Sequence, residues 1–245
     1  MKAAKSAYIA GNDTLALLNY AQAKVLYQEL GNTIIWIFHN EIGNNKGVGI
    51  CESNIGTIHL KNSHYGEAIS AYIAAVNIST NEINEYNEMA ERDVLESRQR
   101  NLVDFQQNGF QNLNREKLIL ANRMINLANA YVLESLNTKN RRWQSAIDNF
   151  QLVKRMDQSL NINPHRVILI SIELAKVYLQ MGNLQKAELS LKEAEENLLQ
   201  RAFESLDIPK VILENKIKII KAAFAKENGN LFEAAELLTT VLVNY

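Results

Sequence analysis

Apolar residues return at helical spacing along most of this chain, with small residues at fixed places in the pattern. Ile50, Ile55, Ile58 and Leu60 mark one helix of period 3.6. After the polar break Lys61-Asn62-Ser63-His64 the spacing restarts with Tyr65, Ala68, Ile69, Tyr72, Ala75 and Val76. The stretch from Ile50 to Ile78 therefore predicts two antiparallel helices joined by a tight turn. Gly56 lies in mid-helix, where glycine costs about 1 kcal/mol relative to alanine. Its missing side chain reads as room for another backbone. Ala68 and Ala75 flank Tyr72, small against large, which lets two helices close in and still fill the space between them.

The same pattern returns along the chain. Ala16, Tyr20 and Ala23 reproduce the second-helix spacing after a short first helix, Lys2 to Ala10, and a Gly11-Asn12 turn, with Asn12 or Asp13 as cap. Leu127-Ala128-Asn129-Ala130-Tyr131 opens a third pair, completed by Trp143, Ala146 and Phe150 beyond a long turn at 136–142, and Pro164 starts the next helix. A fourth pair has Leu174-Ala175, Tyr178, Ala187, Leu191 and Ala194, and a fifth has Ala222, Ala234, Leu238 and Val241. Gly182-Asn183 and Gly229-Asn230 predict helix ends closed by a left-handed residue. Ala146, Ala187 and Ala234 lie 41 and 47 residues apart, so whole units repeat and insertions fall in the connections.

Two connections stand out. Gly31-Asn32 reads as a helix end, and Thr33 to Phe38 (TIIWIF) is the most strand-like run. With Gly43 to Gly49 and a following helix, this resembles a phosphate-binding loop, but Lys46 precedes Gly47-Val48, and Glu52 stands where a dinucleotide fingerprint needs glycine. The plainer reading is an extra helical turn packed between units, with Trp36 and Phe38 buried. The second connection, 79–114, is polar with a thin apolar stripe. It reads as a long, partly solvated helix ended by Gly109, with disorder over part of it as the alternative.

The repeated pattern resembles the tetratricopeptide repeat, a helix–turn–helix unit of about 34 residues. Gly56 matches the family's small first-helix residue, Tyr65 its turn-side aromatic, Ala68 and Ala75 its second-helix alanines, and Tyr72 the aromatic between them. Glu52, His59 and Ser63 depart from it, where the family often has Trp, Tyr and Gly. The spacing is similar to the longer-period subtype of kinesin light chains and some spindle-orientation scaffolds. Leu30-Gly31-Asn32 and Gly49-Ile50 fit its junctions loosely. The resemblance implies an all-α, right-handed superhelical solenoid of stacked antiparallel helix pairs. One array over 1–245 is expected, with units at about 1–32, 49–78, 119–160, 165–200 and 209–245 and insertions at 33–48 and 79–118.

Composition narrows the function. With 47% hydrophobic and 22% charged residues the chain is ordinary for a globular protein, and two prolines argue against a sandwich or barrel. A formal net charge of −1 gives no electrostatic reason to expect nucleic acid or an anionic membrane as partner. The single cysteine, Cys51, fits a reducing compartment, and no run is long and apolar enough to suggest membrane insertion. The expectation is a cytoplasmic protein, since the lysines near Met1 precede no apolar run of secretory length. His39, His59, His64 and His165 are scattered and Cys51 has no neighbour of metal-ligand type, so no metal or cofactor is expected. The basic turn at 136–142 reads as a solvated loop.

What remains is binding. In the family, first helices line the inner surface of the superhelix. That places Ser53, Asn54, Thr57 and Lys61 there from the second unit, and Asn122, Asn126 and Asn129 from the third. The fourth adds Glu173, Lys176 and Gln180, and the fifth Lys216. Amides and hydroxyls suit an extended peptide backbone. The carboxylate clamp of co-chaperone members is not expected: Ser53 and Ile125 stand where lysines are wanted, and Glu173 would repel an anion. The expected function is a non-catalytic scaffold for a peptide or protein surface, in a larger protein, complex or cytoskeletal assembly. A clipped first unit and the apolar Val241-Leu242-Val243 end point the same way. The alternative is a regulatory or sensor segment of a longer signalling enzyme.

Overall fold

The structure, a computed structural model, describes residues 1–38, 45–97, 103–160, 164–199 and 210–243. Side chains are described for all of these except 30–38, 89–97, 103–112, 160, 164 and 243. Helices break where one residue enters the left-handed region and the next amide reaches back over the last turn. Gly11 (φ 77°), Ser63 (φ 60°), Gly182 (φ 72°) and Gly229 (φ 78°) do this. The following N–H groups, of Asn12, His64, Asn183 and Asn230, donate to the carbonyls of Ala7, His59, Tyr178 and Ala225 at 2.8–2.9 Å. These are Schellman closures, which satisfy carbonyls that a helix end leaves free. Asn12, Asn183 and Asn230 then cap the next helix, their Oδ1 atoms accepting from the N–H of Leu15, Lys186 and Glu233. One turn design thus serves four helix pairs, including the one in which serine replaces glycine.

Ten helices occur among the described residues, and no strand. The chain divides into two compact units, Met1–Arg142 and Trp143–Tyr245. The first holds α1 (Lys2–Ile9), α2 (Asp13–Phe38), α3 (Asn45–Lys61), α4 (Tyr65–Ser97) and α5 (Val103–Asn137). The second holds α6 (Trp143–Leu160), α7 (Pro164–Gln180), α8 (Leu184–Leu199), α9 (Lys210–Glu227) and α10 (Leu231–Val243). Pro164 opens α7, where its missing N–H costs nothing.

In the first unit Ala4, Ala7, Ala16, Tyr20, Ala23, Cys51 and Ile58 form one buried cluster across α1, α2 and α3. Gly56 lies against the buried ring of Tyr72, and a Cβ there would sit 2.9 Å from two ring carbons. In the second unit Ile168, Ile172 and Ala175 of α7 pack with Leu191, Ala194 and Leu198 of α8 and with Leu213, Ile217 and Ile220 of α9. A smaller cluster joins Ala222 and Ala225 of α9 to Ala234 of α10. Ala16, Ala23, Ala175, Ala194, Ala222 and Ala234, all singled out by spacing, are therefore contact points between helices.

Two expectations change. Gly31-Asn32 does not end a helix: α2 runs through it to Phe38, so the TIIWIF run is helical and no strand forms there. Once a helix is nucleated each further residue adds a hydrogen bond, and β-propensity is a weak opposing preference. The burial of Trp36 and Phe38 lies outside the described side chains. Gly109 does not end a helix either, because α5 begins at Val103 and continues to Asn137. The polar stretch is thus divided between the end of α4 and the start of α5.

Candidate protein-interaction surface

Asn122, Asn126 and Asn129 stand at i, i+4 and i+7 on α5 and so share one face. Asn122 is exposed and the other two are half-buried, as is Asn54 on α3. Among the described residues the side-chain amides of Asn54, Asn126 and Asn129 make no hydrogen bond. α3 and α5 meet where Gly49 faces Arg123 and where Lys46 pairs with Glu116. Amides held at a helix surface without partners can both donate to and accept from a peptide backbone.

Other expected groove residues are already engaged. The Ser53 hydroxyl donates to the Gly49 carbonyl at 3.0 Å, and the Thr57 hydroxyl donates to the Ser53 carbonyl at 2.9 Å. Thr57 also meets the Tyr72 hydroxyl at 3.0 Å. Both hydroxyls are turned along their own helix. Lys61 pairs with Asp13 at 2.9 Å and lies 5.3 Å from the centroid of the Tyr8 ring, tying α3 to the first helix pair. In the second unit Glu173 pairs with Lys176 on α7 at 3.3 Å, while Gln180 on α7 and Lys216 on α9 are exposed. The basic turn is folded back onto α5. Arg141 donates to the Ser135 carbonyl at 2.6 Å, and Arg142 pairs with Glu134 at 3.3 Å and lies over the Tyr131 ring. Its guanidiniums close a helix end.

No protein-family model matches the sequence, and no curated protein matches it. Solved structures do match, among them the crystal structure of BtubC (BKLC) from P. vanneervenii, with a TM-score of 0.59 at 14% identity. The match covers 99% of this chain and 85% of that one. The fold is a tetratricopeptide-like helical repeat. At this identity the likeness carries the fold alone.

The TPR-like packing also explains the glycines that resemble a phosphate loop in the sequence. Residues 43–44 lie outside the described residues, but from Asn45 onward the chain is helix. A Cβ at Gly47 would meet the Tyr27 ring at 2.5 Å, and one at Gly49 would meet Nη1 of Arg123 at 2.5 Å. Both glycines exist for close approach of side chains from neighbouring helices.

Arg123 holds a structural role that its place in the sequence does not mark. It is 4% exposed, and its Nη1 donates to the Ala75 carbonyl at 2.9 Å and to the Ser79 hydroxyl at 2.5 Å. Glu82 and Glu116 are buried around it, and Lys46 reaches Glu116 from α3. Burial, then the Glu116 carboxylate, raise the Glu82 pKa, while Arg123 and Lys46 pull it down. Burial lowers the Arg123 pKa against the pull of the two glutamates. Two acids and two bases thus share an enclosed seam of α3, α4 and α5. A single arginine within a polar helix gives no sequence signal for this. The only hint was the glycine pair opposite.

His59 is half-buried, its Nδ1 enclosed without a hydrogen bond and its ring 5.9 Å from that of His64. Among the described residues no group of three or more His, Cys, Asp or Glu could hold a metal ion, and no helix is long and apolar enough to cross a membrane.

Proposed function

We propose that this chain is a non-catalytic interaction scaffold of the tetratricopeptide family's longer-period kind. Its helix pairs form one array that binds a peptide or protein surface, within a larger protein or assembly. The single, buried thiol of Cys51 favours a reducing, intracellular compartment. The observation that carries the reading is the amide stripe of α5, Asn122, Asn126 and Asn129, with Asn54 of α3 as a further half-buried amide. Three of these four amides make no hydrogen bond among the described residues. Ser53, Thr57 and Lys61 are less available to a ligand, since their polar atoms are engaged within the chain. In the second unit, taken by itself, Glu173, Lys176, Gln180 and Lys216 offer charged and amide groups to the side chains of a bound peptide.

Affinity capture from a native extract tests this, with wild type compared against Asn126→Ala/Asn129→Ala. Each hydrogen bond to a ligand contributes on the order of 1 kcal/mol, so the double variant, losing two, is expected to retain its partner about thirtyfold less tightly. Alanine is the better helix former, so the variant should melt no lower than wild type. Partners captured equally by both proteins, or nothing above background, would overturn the proposal.

A further inference from the structure

From Leu118 to Asn137 the open surface of α5 carries no charge, although 22% of the residues in the chain are charged. The two charged residues of that span, Arg123 and Glu134, are each 4% exposed. At about 100° per residue, both lie roughly a third of a turn round the helix from the stripe of Asn122, Asn126, Asn129, Leu133 and Leu136. Arg123 donates to Ala75 and Ser79, and Glu134 is held by Arg142 and Asn140, so both charges are satisfied within the chain. Along the stripe, Leu133 is 36% exposed and Leu136 43% exposed, one and two turns beyond Asn129. The carboxamides of Asn126 and Asn129 make no hydrogen bond among the described residues.

The repeat shows that nothing in the helix pair forbids charge at these places. Counted from the small residue of each first helix, Ala128 and Ala175, Asn126 answers to Glu173, Asn129 to Lys176 and Leu133 to Gln180. Positions that hold an ion pair on α7 therefore hold two amides on α5. A carboxamide carries both donors and an acceptor, as a peptide group does, so the two match in either direction. A charged side chain pressed onto this face would lose hydration and meet no counter-charge. An aliphatic side chain gains there, because Leu133 and Leu136 receive it.

We infer that the α5 face takes an uncharged segment of extended peptide and rejects charge of either sign. The backbone of that segment bonds to Asn126 and Asn129, and its aliphatic side chains lie on Leu133 and Leu136. Selection here works by exclusion, since a neutral face has no opposite charge with which to welcome one sign over the other. This selectivity rests on the proposed reading of the face as a peptide-binding surface and adds the class of ligand.

A random peptide library displayed on phage, panned against the full chain and against Asn126→Ala/Asn129→Ala, isolates the peptides that need the two amides. Backbone N-methylation of each synthetic peptide then locates the segment that the carboxamides hold. Lysine or glutamate placed singly within that segment is expected to weaken binding about tenfold or more, to the same degree for both signs, in fluorescence anisotropy titrations. Asn126→Glu copies the residue at the corresponding place on α7, so the helix should stand, as its circular dichroism will show. This variant should accept a lysine that wild type rejects and still reject glutamate. Amide-dependent peptides that carry a charge in the held segment, or that tolerate one sign there, would overturn the selectivity while leaving the binding surface in place. If no selected peptide depends on the two asparagines, the binding surface itself fails, and the selectivity with it.

Discussion

Replacing Gly49 with alanine should destabilise the first unit although alanine is the better helix former. The new Cβ would lie 2.5 Å from Nη1 and 2.7 Å from Cζ of Arg123, and nearer still to Nη2. An arginine tip on a surface would simply move away. This one is 4% exposed and held by the Ala75 carbonyl and the Ser79 hydroxyl, with Glu82 and Glu116 buried around it. Overpacking costs about 1–3 kcal/mol, and displacing a charge-assisted hydrogen bond about 1.5–3 kcal/mol. Improved helix propensity returns about 1 kcal/mol. The net loss is about 2–5 kcal/mol, which for a chain of this size lowers the melting temperature by on the order of 10 °C. Thermal melts followed by far-ultraviolet circular dichroism read this directly, the transition of the first unit being the one that moves. The decisive comparison adds Arg123→Met. In that background the clash is gone, and Gly49→Ala should be neutral or stabilising by about 1 kcal/mol. The reasoning fails if Gly49→Ala is as stable as wild type, or if its penalty is unchanged in the Arg123→Met background.

Three further outcomes follow from particular contacts. Ser63→Gly should stabilise by about 0.5–1 kcal/mol in denaturant titrations, since Ser63 holds φ 60° where glycine is unstrained. Glu82→Gln should change the pH dependence of stability. A folded pKa raised above the ordinary 4.5 means that the native state holds the proton more tightly, so wild-type stability from this group declines as pH climbs from about 4.5 to the raised value. The variant should therefore lie above wild type at neutral pH and converge with it in acid, in melts recorded across that range. In the second unit Arg166→Met should cost about 3–5 kcal/mol by stranding Asp157, whose side chain is 2% exposed and accepts from Arg166 Nε at 2.5 Å. Asp157→Leu/Arg166→Met should recover most of that loss.

Much of the fold was legible because its determinants are local and repeated. Gly182 and Gly229 adopt the left-handed conformation that their Gly-Asn signal predicts, and Gly56 faces the tyrosine that its small–large pattern implies. Failures came where one local signal stood against a longer tendency. Gly31-Asn32 resembles a helix end, yet the helix-competent run beyond it carries α2 to Phe38. Gly109, similarly, is absorbed by α5. Gly47-Val48-Gly49 resembles a loop because the residues that need the space, Tyr27 and Arg123, are distant in sequence. For the surface, residue type identified polar first-helix positions but not their engagement. Thr57 and Asn54 look equivalent in the sequence, and only the structure separates a hydroxyl bonded to its own helix from an amide without a partner.

The central claim is that the amide face of α5 meets a partner, and site-specific photo-crosslinking tests it most directly. A photoreactive residue at position 126 and a control at position 185, exposed at the start of α8, would be irradiated in the native extract. A discrete crosslinked partner is expected from position 126, lost on competition with unlabelled wild type, and none from position 185. The contradicting result is a position 126 probe that captures nothing, or one that captures the same proteins as the control.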